Sequence, residues 1–183
     1  MPLLMLKNLP RYDCLLEASR EFPDLDPSSC EAYLHLLRAG DEAFRFGEVF
    51  FAKHQLSRGR FTVLILLLDK TKNEPLSRTP AELADLAAVT RATMTGLVDT
   101  LERDGLVKRE PDKLDRRMML VTLTTKGIDL LRRLLPEHFR RTAALMGPLT
   151  EDERKTLVIL LNKVVEQGQS MTAAERAVTT AHP

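Results

Sequence analysis

RTPAELADLAAVTRATMTGLVDTLERDGLVKRE, residues 78–110, contains two capped helical patterns, a glycine stop and the start of a strand. Thr79 is a helix cap, Pro80 fits the first helical position, and Glu82 stands three residues past the cap, so both side chains satisfy otherwise unpaired backbone donors. The helix that starts here is short. Leu83, Leu86 and Val89 are followed at once by a second cap, Thr90, and by Met94, Leu97, Val98 and Leu101 at spacings of three, four and seven. Gly105 then falls where a left-handed helix stop is wanted. Two short helices in this order predict a helix-turn-helix, in which burial of the inner stripes turns the second helix outward. Its outer face carries Arg91, Thr93, Thr95, Gly96 and Thr100. Small hydroxyl side chains near a helix start admit close approach and can bond phosphates or base edges in a major groove.

Working outward toward the C-terminus, LVKREPDKLDRRMMLVTLT, residues 106–124, reads as two strands joined by a charged, proline-containing tip. Residues 108–117 hold five cations (Lys108, Arg109, Lys113, Arg116, Arg117) and three acids (Glu110, Asp112, Asp115), a local charge of 5 − 3 = +2 against +1 for the whole chain. A basic hairpin beside a helix-turn-helix is suited to an adjoining minor groove, where narrow width concentrates negative potential. Asp115 is expected to orient one of the neighbouring arginines, since a bare carboxylate repels phosphate. Alone, such a charge cluster reads as a solvated turn; its position promotes it.

The rest of the chain is helical in pattern. Residues 11–22 suit a short amphipathic helix, residues 29–55 a long one, and residues 57–70 a helix whose run from Val63 to Leu68 is apolar nearly all round, as at the centre of a core. After the hairpin, Thr124 or Thr125 caps a helix to about Met146, with a kink expected at Pro136. Thr150 and Glu153 open a last helix with Leu157, Leu160, Leu161, Val164 and Val165 on one stripe, and the tail from Gly168 is expected to fray.

Bulk properties narrow the function. With 27 Lys and Arg against 26 Asp and Glu, the 183-residue chain has no global attraction for nucleic acid, so any such role rests on a local surface. The two cysteines, Cys14 and Cys30, without a CxxC pattern or an apolar leader, point to a reducing interior and a cytoplasmic protein. The apolar start is too short and too interrupted to span a membrane. Glu31 and His35 share a helix face but have no evident third ligand, so no metal is assigned. No clustered acid, base or nucleophile and no glycine-rich phosphate loop suggests an enzyme, and no cofactor is expected.

The stretch PAELADLAAVTRATMTGLVDTLERDGLVKRE, followed by DRRMMLVTLTTKG, resembles the winged helix-turn-helix of the MarR family of bacterial transcription regulators. The likeness is strongest over residues 58–127 and continues to about residue 167. It implies a mainly α-helical fold with a small β-hairpin wing, divided into N-terminal dimerisation helices (1–56), a winged helix-turn-helix DNA-binding domain (57–124) and C-terminal dimerisation helices with a tail (125–183). It further implies a cytoplasmic homodimer on a palindromic operator in double-stranded DNA, most often a repressor released by a small-molecule effector or an oxidant. Thr90 to Arg103 becomes the recognition helix and Asp115 to Arg117 the wing tip, with Arg117 the candidate for the minor groove. The candidate DNA-binding residues are Thr79, Thr90, Arg91, Thr93, Thr95, Lys113, Asp115, Arg116 and Arg117. The alternative is a winged-helix adaptor whose basic hairpin meets an acidic protein partner.

Overall fold

Every described helix after the first begins where a side chain supplies the missing acceptor. In the computed structural model, which describes residues 3, 4, 6–69, 74–112 and 114–180, α1 is Tyr12–Glu21, α2 Pro27–Lys53 and α3 Arg58–Leu66. The second starts two residues ahead of the expected Ser29. Asp26 caps it by accepting from the Ser28 and Ser29 amides at 2.9 and 3.1 Å, with Pro27 in the first turn. The third starts at Ser57, whose hydroxyl accepts from the Arg60 amide at 3.2 Å.

The third helix also ends earlier than residue 70. Leu68–Asp69 (β1) pairs antiparallel with Glu74–Pro75 (β2), a two-residue ladder absent from the sequence reading. Val63, Leu64 and Leu67 are wholly buried and Leu68 nearly so. A continuous apolar run is buried equally well as helix or strand, so periodicity cannot locate the change between them.

The next elements follow the expected order: α4 (Pro80–Leu86), α5 (Arg91–Arg103), β3 (Val107–Pro111), β4 (Met119–Leu123) and α6 (Thr125–Leu145). The strands pair antiparallel from Val107↔Leu123 to Pro111↔Met119. Arg78, just before α4, bridges to Val121 through both backbone bonds, at 3.1 and 2.8 Å. Thus the start of the helix-turn-helix is pinned to the outer edge of the hairpin. Met94, Val98 and Leu101 of α5 and Leu83 of α4 have no exposed surface. Leu86 and Val89 do not join them, being 52% and 37% exposed; in so short a helix the inner face is completed by Ala84 instead. Thr124, rather than Thr125, caps α6, accepting from the Gly127 amide at 3.1 Å.

By its contacts the chain divides into two units, Met1–Leu131 and Arg132–Pro183. In the second, α6 runs on through Pro136, and α7 spans Glu151–Thr180. A reciprocal box opens α7: Glu153 accepts from the Thr150 amide at 2.7 Å, and Thr150 accepts from the Glu153 amide at 3.3 Å. The expected fraying at Gly168 does not occur. A single glycine costs a helix only about 1 kcal/mol, and the alanines that follow favour continuation. Among the described residues no helix is long and apolar enough to cross a membrane.

Candidate nucleic-acid interface

The outward helix α5 is set by caps at both ends. Thr90 accepts from the Thr93 amide at 3.1 Å and its hydroxyl lies 2.9 Å from that of Thr93. At the other end Gly105 takes a φ of +70°, the left-handed conformation a glycine adopts without a side-chain clash, and the Leu106 amide reaches back to the Leu101 carbonyl at 2.9 Å. The turn between α4 and α5 needs the same conformation at Ala88, φ +52°, where no glycine stands.

Thr90, Arg91, Ala92, Thr93, Thr95 and Gly96 are all exposed on the first turns of α5. A Cβ added at Gly96 would meet nothing within 4 Å, so this side of the helix presents bare backbone to a ligand. The Thr95 hydroxyl donates to the Arg91 carbonyl at 2.9 Å, which leaves its lone pairs and methyl group facing out. Thr79 is placed differently. It caps α4, donating its hydroxyl to Glu82 at 2.9 Å and accepting from the Glu82 amide at 3.2 Å. The Thr79 N–H and then its hydroxyl hold the Glu82 carboxyl below its ordinary range.

The hairpin tip is a folded turn. The Asp112 amide donates to the Met118 carbonyl at 2.8 Å, and the Met118 amide to the Asp115 carbonyl at 2.9 Å. Asp115, expected to orient one of the neighbouring arginines, reaches Arg117 through the main chain: its carboxylate accepts from the Arg117 backbone N–H at 3.0 Å. A short acid bonding two residues ahead shapes the turn itself. Arg116 and Arg117 are exposed, and Leu114 beside them is 99% exposed. Lys113 lies outside the described residues.

The positive hairpin resolves into two parts. Lys108 pairs with Glu110 at 2.6 Å, and Arg109 binds Asp99 at 2.5 Å and Glu102 at 2.6 Å. Burial disfavours the charged form of Arg109, but bonds from Asp99 and Glu102 outweigh it and raise its pKa above the ordinary arginine value. By contrast the guanidinium groups of Arg91, Arg103, Arg116 and Arg117 engage no partner among the described residues. Counting charge along the hairpin missed this division. The available signal was the pair of acids, Asp99 and Glu102, one turn apart on a helix otherwise furnished for an anionic ligand.

The other candidates remain scattered. Cys14 is exposed and Cys30 half-buried, both as free thiols. Among the described residues no group of three or more His, Cys, Asp or Glu could hold a metal ion.

Comparison with known proteins agrees with this geometry. The MarR family model matches residues 54–118. The HTH-type transcriptional repressor YetL of Bacillus subtilis is 37% identical over 162 residues, which covers 88% of this chain and 95% of that protein. Among solved structures, BpsR of Bordetella bronchiseptica, described for the regulation of its DNA binding by 6-hydroxynicotinic acid, superposes with a TM-score of 0.61 at 29% identity, covering 72% of this chain and 91% of that one. A mutant MarR from Escherichia coli complexed with operator DNA gives a TM-score of 0.57 at 29% identity, covering 66% and 83%. With a capped outward helix, a basic hairpin beside it, and a relative matched over nearly its whole length, the chain belongs to the MarR family of transcriptional regulators.

Proposed function

We propose that the protein is a cytoplasmic homodimer that represses transcription by binding a palindromic operator, and that a small organic effector or an oxidant releases it. The observation that carries this reading is the exposed surface of α5 beside a hairpin tip, with the guanidinium groups of Arg91, Arg103, Arg116 and Arg117 unengaged among the described residues. Thr90, Arg91, Thr93 and Thr95 enter the major groove, Arg117 the minor groove, and Arg116 and Lys113 hold phosphate. Thr79 and Asp115 act at one remove, the first by setting the start of α4 and the second by shaping the turn that carries Arg117. The helices of residues 1–56 and 125–183 join the two copies. Recognition helices of the pair then sit ~34 Å apart, one turn of the duplex, on half-sites ~10 base pairs apart.

The test is a titration of the duplex upstream of the protein's own gene at fixed salt. Binding is expected to weaken steeply with salt, because neutralised phosphates release counterions. Arg117→Ala is expected to reduce affinity about ten-fold while the dimer stays folded, the loss of one charged groove contact. Equal affinity for this duplex and for random DNA, or for the parent protein and Arg117→Ala, rejects the assignment. Binding to an acidic protein without duplex binding favours the adaptor instead.

A further inference from the structure

Arg109 faces the acids of α5, not solvent, and it does so at one particular level of the wing. Its guanidinium reaches Asp99 and Glu102 through different nitrogens, and its own backbone N–H donates to the other oxygen of Glu102, Oε1, at 3.0 Å. Arg109 is also the residue opposite Val121 in the strand register, and Val121 is the residue bridged to Arg78. Two residues facing each other in an antiparallel pair can both point their backbone groups away from each other. Here Val121 turns its groups to Arg78 on one edge, and Arg109 turns its N–H to Glu102 on the other. The hairpin is therefore held on both edges at a single level, beyond which Glu110↔Leu120, Pro111↔Met119 and the tip project.

We propose that Arg109 is a positioning residue that fixes the wing against the recognition helix, so that Arg116 and Arg117 and the outer face of α5 meet one duplex together. The inference rests on the operator-binding reading and adds the part that aligns its two halves. A two-stranded hairpin is marginal by itself in water, so its direction must come from what it is tied to. Arginine suits the task because its planar fork serves two carboxylates at once, whereas a lysine ammonium is a single point charge. The brace also offsets charge: Asp99 is 56% exposed on a helix that faces phosphates, and an uncompensated carboxylate there opposes binding.

The decisive measurement compares Arg117→Ala in two backgrounds. If the wing needs Arg109 for its aim, Arg117→Ala costs about ten-fold in operator affinity in the parent but less than about two-fold in Arg109→Ala, since coupled residues are non-additive. An equal cost in both backgrounds overturns the proposal. Hydrogen exchange on the DNA-free protein supplies a second readout. Amides of residues 110–120 are expected to exchange about ten-fold faster in Arg109→Ala while those of α3 keep their rates, as in local opening; unchanged hairpin exchange also overturns it. Should Arg109→Ala not fold, Arg109→Lys replaces it, with intermediate exchange expected and parent-like exchange counting against the brace. If the parent binds no upstream duplex, or Arg117→Ala costs nothing in it, the operator reading or the wing assignment fails, and exchange alone decides whether Arg109 holds the hairpin.

Discussion

The helix α5 and the helix α7 carry apolar stripes of the same kind, yet they meet opposite fates within the chain. Met94, Val98 and Leu101 of α5 have no exposed surface at all. In α7, Leu157, Leu161, Val164 and Val165 are each at least 36% exposed. Helical periodicity says only that a face wants to leave water, not what will cover it. For α5 the cover is α3, α4 and the hairpin, drawn from the same chain. For α7 the stripe stands exposed among the described residues, which accords with the proposed joining of two copies. The surface proposed to read DNA is therefore built by a folded single chain, while the proposed dimer depends on association and hence on concentration.

The sharpest way to break this contrast is to remove one leucine from each helix. Leu101→Ala is expected to destabilise the winged unit by about 3 kcal/mol, the range for a buried leucine that leaves a cavity. Denaturant unfolding checks it, and the loss should be the same at every protein concentration. Leu161→Ala comes next. It should cost about 2 kcal/mol of association, roughly a 30-fold rise in the dimer dissociation constant, by removing buried apolar surface from the interface. Sedimentation equilibrium reads this directly; an unchanged dimer would mean that α7 is not at the interface, and the contrast would need another cause.

Smaller changes sharpen the comparison within the winged unit. Thr79→Ala removes half of a reciprocal box and is expected to cost about 1 kcal/mol of stability. Its partner makes the effect depend on pH. Glu82 has a folded-state pKa below its ordinary value, so the stability it adds is present above the unfolded pKa and is lost as pH falls through the folded one. Thermal melts from neutral to acid pH should converge for the parent and Thr79→Ala as that carboxyl is protonated. The smallest expected effect runs the other way. Ala88→Gly relieves a left-handed residue at the helix-turn-helix corner and should stabilise by about 0.5 kcal/mol, the strain being partly offset by glycine's greater freedom when unfolded. A lower melting temperature in that variant would show that Ala88 is not strained.

Much of this arrangement was legible beforehand where the signals are local. The caps at Thr79, Thr90 and Thr150 and the stop at Gly105 stand where the spacing placed them. Several readings failed wherever one pattern suited two structures. The run through Leu68 held helix and strand equally well, Leu86 shared a spacing with Leu83 without sharing its face, and Gly168 did not end a helix that alanines could sustain. Asp115 is expected to orient one of the neighbouring arginines, and it reaches Arg117 through the backbone N–H two residues away, which a short acid does readily.

What the amino-acid order determined by itself was where α4 and α5 begin and where α5 stops, because a cap or a left-handed glycine acts across three or four residues and needs nothing from afar. Only the tertiary structure decided which cations face outward. Arg109 and Arg117 are eight positions apart on one hairpin and chemically identical, yet the guanidinium of the first is held by Asp99 and Glu102 and that of the second by no side chain among the described residues. The energy of a charge depends on what stands within a few ångströms of it, and the fold brings those neighbours from elsewhere in the chain.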